Sequence, residues 1–264
     1  MIKCIHTTKC SLFYRIFRYK TICKLHSVRR DPIYNYLVDT LKTEYETVRE
    51  LRRTDRGTVV LVRHKETKNL YIFRRFQGSA EVYRKLLFVT CPYLPRIYEA
   101  AEQDGKAAVL EEYIKGDNMQ EMLKGALFSE SETRAIAMDL CQALRVLHER
   151  GAVHRDIKPE NVILRGDDAV LIDFDASRVF KAQHTSDTVV LGTTGFAAPE
   201  QYGMAQSDKR SDIYSLGVLM NVMLTGQHPS RQLAPGRWGR IIKKCTMTDP
   251  CSRYGSATEL LEIL

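Results

Sequence analysis

From Glu44 onward, apolar and polar positions alternate in short runs, and this pattern predicts strands. Residues 44–51 form one run, 58–63 a second with Val59, Val60, Leu61 and Val62, and 70–76 a third. The turn residues Asp55, Arg56 and Gly57 and the polar stretch 65–69 separate them, which describes a β-meander. Residues 79–89 carry helical spacing until Pro92 and Pro95 break it, and 96–101 and 107–114 predict two more strands. After Gly116 the period changes to that of helices. Ser129 and Glu132 make a capping box ahead of Ile136, Leu140, Ala143, Leu144 and Leu147, which lie on one face of a helix ending near Gly151. The apolar run 169–172 reads as a short buried strand, 212–225 as an apolar helix and 238–246 as another, and Ser256 with Glu259 caps the last. The expected class is α+β: a small antiparallel sheet with one helix, then a larger, mainly helical part.

A chain of 264 residues with 44% apolar side chains can bury a sizeable core. No run reaches the ~18 uncharged apolar residues of a membrane span. The net charge of +8 belongs to the N-terminus: residues 1–30 hold Lys3, Lys9, Arg15, Arg18, Lys20, Lys24, Arg29 and Arg30 and no acid, leaving 32 basic and 32 acidic side chains beyond them. A neutral body gives no basic face for nucleic acid, so no nucleic-acid partner is expected. Within the tail, Leu12, Phe13, Ile16 and Phe17 share helical spacing with Arg15, Arg18 and Lys20. That pattern suits a loose extension outside the fold, with weak contact to an anionic membrane surface as the alternative. Seven scattered cysteines without a Cys-x-x-Cys pair suggest a reducing, cytoplasmic setting with neither disulfides nor zinc.

The candidate chemistry lies at His154, Arg155, Asp156, Ile157, Lys158, Pro159, Glu160 and Asn161, followed by Asp173, Phe174 and Asp175 just after the buried run. These two stretches resemble the catalytic loop and the magnesium-binding motif of eukaryotic-like (Hanks-type) Ser/Thr protein kinases. The resemblance implies the two-lobed protein-kinase fold over residues 40–264, with a small lobe at about 40–115, a larger one at about 116–264, and residues 1–39 as a basic extension. It implies that Asp156 orients the attacking hydroxyl, Lys158 neutralises the γ-phosphate, and Asn161 and Asp173 hold Mg2+. Lys158, two residues after Asp156, is similar to the Ser/Thr branch. Gly192, Thr193 and Thr194, with Ala197, Ala198, Pro199 and Glu200, resemble the segment that receives substrate, with Thr193 bonding Asp156 and Lys158. Glu200 and Arg253 match an anchoring ion pair, and Asp212 matches a helix-start carboxylate behind the catalytic loop. The phrases 197–203 and 212–217 are similar to bacterial members especially.

The smaller lobe departs from the family pattern. Positions of the glycine-rich loop read Arg52, Thr54, Gly57 and Val59, so only the last glycine and the valine remain. Arg52, Arg53 and Arg56 either supply side-chain charge to phosphates in place of the lost glycines or are simply solvated. Arg74 stands where a strand lysine grips the α- and β-phosphates, Ile72 replaces the small residue over adenine, and Glu81 is the expected ion-pair partner on the first helix. The Glu112 carbonyl and the Ile114 amide match the adenine-binding hinge, whereas Glu111 occupies an ordinarily apolar position and Asp175 replaces a glycine. Thr185, Ser186 and Thr188 lie where regulatory phosphate is received in the family or form an ordinary polar loop. The resemblance implies ATP and Mg2+ as cofactors and Ser/Thr hydroxyls of proteins as acceptors. A pseudokinase serving as a binding or regulatory module, and phosphorylation of a small molecule, are the alternatives.

Overall fold

The computed structural model describes residues 32–179, 195–202 and 208–264. The expected roles of residues 1–30, of Thr185, Ser186 and Thr188, and of Thr193 lie outside the described residues. The chain opens on helix α1 (Pro32–Glu44), which runs directly into β1 (Tyr45–Thr54), then β2 (Gly57–His64), β3 (Leu70–Gln77), the short helix α2 (Glu81–Leu86), β4 (Ile97–Gln103) and β5 (Lys106–Glu112). The five strands form one antiparallel sheet in the order β1-β2-β3-β5-β4. Helix α1 spans the domain start expected at 40. Its Leu37 and Leu41 are buried with Tyr45, Val62, Phe73, Ala101, Ala108 and Leu110, so it roofs one face of the sheet.

Helix α2 is shorter than the 79–89 pattern predicts. Leu87 leaves it in an extended conformation and bridges to Ile97, and Phe88 adopts a positive φ of 66°. Beyond the sheet the chain is mostly helical: β6 (Asp117–Asn118), α3 (Met119–Leu123), α4 (Glu130–Glu149), β7 (Ala152–Val153), β8 (Val162–Arg165), β9 (Asp168–Leu171), β10 (Arg178–Val179), α5 (Lys209–Thr225), α6 (Gly236–Cys245) and α7 (Ala257–Ile263). The Ser129–Glu132 capping box forms as expected, and the Ser256 side chain accepts from the Glu259 amide to start α7. Helix α4 buries Ile136, Leu140, Ala143, Leu144 and Leu147 in a core shared with α5, α6 and α7.

The lobes join at Gly116, where an added Cβ would lie 2.1 Å from the Leu164 carbonyl oxygen, so no larger residue fits against β8. Among the described residues no helix is long and apolar enough to cross a membrane.

Candidate active site

Helix α4 and the short strand β7 lead the chain to His154, and the buried carboxylate of Asp212, in the first turn of α5, fixes the backbone there. Asp212 Oδ2 accepts from the His154 amide at 2.9 Å and Oδ1 from the Arg155 amide at 2.8 Å, while His148 Nε2 lies 2.8 Å from Oδ2. Arg155 takes a positive φ of 69°, a conformation that non-glycine residues adopt only where surrounding bonds hold it. Beyond it, Lys158 Nζ approaches Asp156 Oδ2 to 2.8 Å, and Asn161 Nδ2 donates to the Asp156 carbonyl at 2.8 Å and to Oδ2 at 2.9 Å. Three of the expected residues thus meet around one carboxylate.

Residues 195–202 are tied to this loop from behind. Gln201 donates to the Arg155 carbonyl at 2.9 Å, and Glu200 forms a two-pronged pair with Arg253 at 2.7 and 2.8 Å, with Ser211 as a third partner at 2.8 Å. Desolvation offsets much of the Coulomb gain of such a pair, so its main effect is geometric.

Sheet register builds the opposite wall. Paired residues share a face, and Arg52 pairs with Val59, Val59 with Arg74 and Arg74 with Val109, which lines these side chains up toward the larger lobe. Two register shifts in β1, between Thr47 and Arg49 and between Glu50 and Arg52, set that alignment for Arg52. Glu111, opposite Ile72, is the diagonal neighbour of Arg74 on the same face.

Arg74 is 4% exposed, and its guanidinium is held on every side. Nε and Nη2 donate to Glu111 Oε1 at 2.9 and 2.6 Å, and Nη1 donates to Asp173 Oδ1 at 2.9 Å and Asp175 Oδ1 at 3.1 Å. Arg52 takes the other oxygens: Nη1 donates to Asp173 Oδ2 at 2.9 Å and Nη2 to Asp175 Oδ2 at 3.0 Å. Tyr83 completes the cluster, donating from Oη to Asp175 Oδ1 at 2.7 Å and accepting from the Phe174 amide at 3.2 Å. Its ring meets Phe174 edge-on, and Phe174 in turn meets His154.

The expected pairing of Arg74 with Glu81 is therefore replaced. Glu111 and the two aspartates, with Tyr83, surround the Arg74 charge. Glu81 opens α2 half-buried, and Tyr83, two residues on and so on another face of the helix, is the residue that α2 turns toward the site. Tyr83 carries no sequence signal beyond its place in the helical run. Arg52 and Glu111 are visible in the sequence only as departures from the family pattern.

Opposing effects set the charge states here. Burial would raise the Asp173 carboxyl, but Arg74 and then Arg52 hold it well below the usual carboxylate range. Burial pushes Asp175 up despite the same two arginines. Burial also raises Glu111, 2% exposed, from 4.5 to about 6 against the pull of Arg74, and its Oε2 is buried without a hydrogen-bond partner. A raised carboxyl stabilises the fold fully below its unfolded value, and that stabilisation is lost as pH rises through the folded value. Between pH 4.5 and about 6 the wild type should lose stability at Glu111, whereas Glu111→Gln has no proton to lose there. The stability of the variant relative to wild type should rise by on the order of 2 kcal/mol across that window, read from denaturant midpoints at several pH values. A constant difference would contradict this assignment.

Under the β1–β2 turn lies a cavity of about 460 Å3, lined by Arg52, Arg56, Gly57, Val59, Arg75 and Arg178 with Asp175 among others. An added Cβ at Gly57 would come within 2.2 Å of the Arg75 carbonyl oxygen, so the one retained glycine of the loop is required by close strand packing. Ile72 and Ile114 are buried, and the Glu112 amide donates to the Arg96 carbonyl at 2.9 Å to set the hinge. Arg52 on the Asp173 and Asp175 carboxylates, with Arg56 and Arg178 also lining the cavity, suits the phosphates of a nucleotide, whereas Arg75, paired with Thr58, turns its side chain to the other face of β3. The same arrangement does not fit a divalent cation at Asp173: both its oxygens accept from arginines, and among the described residues no three His, Cys, Asp or Glu side chains group to hold a metal.

The family described as protein kinase domain matches residues 45–251. Serine/threonine-protein kinase D of Synechocystis is 32% identical over 195 residues, covering 65% of this chain and 38% of that protein. Serine/threonine-protein kinase pkn2 of Myxococcus xanthus is 34% identical over 163 residues, 59% of this chain and 19% of its own length. PknB of Mycobacterium tuberculosis is 29% identical over 197 residues, 71% and 31% respectively. The chain thus spans well under half the length of these relatives. With the two-lobed architecture, the Asp212-anchored loop and the Glu200–Arg253 pair in place, this chain belongs to the protein kinase domain family.

Proposed function

We propose that this chain transfers the γ-phosphate of ATP to Ser and Thr hydroxyls of protein substrates. The observation that carries this reading is the meeting of Asp156, Lys158 and Asn161 within 2.8–2.9 Å, held on a loop that Asp212 fixes from behind. Phosphoryl transfer asks a protein for positioning and charge neutralisation. Lys158 and Asn161 hold Asp156 through Oδ2, which aims the carboxylate to orient an acceptor hydroxyl and take its proton. Lys158 neutralises charge on the transferring group. Val59 and Ile72 would pack on the adenine, and the Glu112 carbonyl and Ile114 amide would bond its edge. Gly57 and Arg52 lie toward the phosphates, and Arg74 acts through Asp173 and Asp175. ATP, when bound, supplies the phosphoryl group.

Relatives named as serine/threonine kinases support protein hydroxyls as acceptors over small molecules. The test is incubation of the full chain with γ-labelled ATP and a generic protein substrate, with and without magnesium, and hydrolysis of the product to phosphoamino acids. Label on Ser or Thr is expected with wild type and none with Asp156→Asn. Equal labelling by both proteins overturns the reading. The arginine clasp on Asp173 favours a second reading, a nucleotide-binding regulatory module without transfer, which absent labelling together with ATP binding would support.

A further inference from the structure

The guanidinium of Arg52 sits where a bridging cation is needed. It contacts Asp173 Oδ2 at 2.9 Å and Asp175 Oδ2 at 3.0 Å, one N–H from each terminal nitrogen. A guanidinium has five N–H donors in a rigid fork, so Nε–H and one N–H on each terminal nitrogen remain for other acceptors. The side chain is 47% exposed and lines the cavity beneath the β1–β2 turn with Arg56 and Arg178. Among the lining residues Asp175 is the one acid, and Arg52 already pairs with it.

A divalent cation at Asp173 would need an oxygen that already accepts from an arginine, Oδ2 from Arg52 or Oδ1 from Arg74. It would have to displace Arg52 from Asp173 and disturb the clasp that also holds Asp175. It would then lie beside Arg74, which holds the remaining oxygens of those carboxylates at 2.9 and 3.1 Å and, at 4% exposure, has no path to solvent for its charge. Magnesium also demands near-octahedral geometry and sheds its water reluctantly, so it competes poorly for ligands already neutralised. Arg52 needs no such rearrangement to join carboxylates on one side to phosphate oxygens on the other.

Resting on the nucleotide-binding part of the proposed function, we propose that this chain binds the polyphosphate of a nucleoside triphosphate without a divalent cation, the Arg52 guanidinium bridging Asp173 and Asp175 to the phosphate oxygens. The β1 register shift that turns Arg52 onto the Val59–Arg74 row makes this bridge possible. The bridge also accounts for the missing glycines of the loop, because side-chain N–H groups replace the backbone amides that glycines would expose.

The test is titration of the full chain with ATP, followed by calorimetry and by thermal shift, in EDTA and in magnesium. Wild type should bind equally in both buffers. Arg52→Ala should lose about tenfold or more in affinity in EDTA, the loss of a charge-assisted phosphate contact, and regain it in magnesium, because Asp173 Oδ2 and Asp175 Oδ2 are then open to the metal. Arg53→Ala, whose wild-type side chain pairs with Glu50, should behave as wild type in both buffers. Wild-type binding that appears only in magnesium, or Arg52→Ala binding in EDTA as well as wild type does, overturns the inference and leaves the transfer reading intact. No binding in either buffer overturns the inference and the nucleotide part of the proposed function together. The wild-type comparison needs no variant, so a folding defect in Arg52→Ala cannot mask the answer.

Discussion

Arg74→Met is expected to lower the unfolding free energy by about 3–5 kcal/mol, the range for removing one partner of a buried ion pair. Methionine fills most of the volume that arginine leaves, so the loss is electrostatic. Glu111 loses both donors to Oε1 while its Oε2 is already buried without a partner, and Asp173 and Asp175 each lose one guanidinium bond. Arg74→Lys should recover little, because a single ammonium cannot span from Glu111 on β5 to the aspartates after β9 as the planar fork does. The diagnostic variant is Arg74→Met combined with Glu111→Leu. Replacing both members of a buried pair by apolar groups is often neutral, so the double variant should be more stable than Arg74→Met alone, with Asp173 and Asp175 keeping Arg52 and Tyr83. Urea midpoints at pH 7 with unchanged m-values measure this. A single variant within about 0.5 kcal/mol of wild type, or a double variant less stable than it, would show that the cluster does not support the lobe interface.

That cluster marks where the sequence stops being informative. The residues from His154 to Asn161 are legible because their chemistry is local: eight consecutive positions carry the pattern, and the capping box at Ser129 and Glu132 announces the helix that delivers it. Asp212, Glu200 and Arg253 are legible from order and spacing, and their bonds form as expected. Arg52 is different. Whether it faces solvent or the cavity depends on the parity of two register shifts in β1, and a single-residue slip inverts a strand's faces without changing its composition. Glu81 and Tyr83 present the same difficulty on a helix. They stand two positions apart, roughly 200° around the axis, and the entry angle of α2 decides which one faces the site. Helix α1 has a legible start, Asp31 before Pro32, but its Leu37 and Leu41 are read as part of the fold only once the sheet they pack against is in place. Glu111 is conspicuous as a carboxylate at an apolar position, but its partner lies on another strand, and only the β3–β5 pairing shows that the two departures answer each other.

Asp212→Asn should combine a stability loss of about 3 kcal/mol with a fall in phosphate transfer of about a hundredfold. Three donors converge on this side chain: the amides of His154 and Arg155, and His148 Nε2. His148 Nδ1 is buried without a partner, and Nε2 turns its N–H to the carboxylate. An asparagine offers one oxygen. Whichever way it turns, its NH2 faces at least one buried N–H, and the charge that strengthened all three bonds is gone. With the oxygen kept toward the two donors at the Oδ2 position, the NH2 faces the Arg155 amide, so the backbone there, with its positive φ of 69°, loses the bond that holds it, and Asp156 next to it shifts relative to Lys158 and Asn161. The acid limb of the stability profile separates this from a simple packing defect. Burial alone would raise the Asp212 carboxyl, but the His148 bond, the charges of His148 and His154 and the Arg155 amide together hold it below its ordinary value. A lowered carboxyl contributes stability that is present above its unfolded value near 3.8 and is lost as pH falls through the folded one. Asparagine has no such proton to take up. The stability gap between wild type and Asp212→Asn should therefore be widest near neutral pH and shrink as pH drops below about 4, while a variant that merely disturbs packing keeps a constant gap.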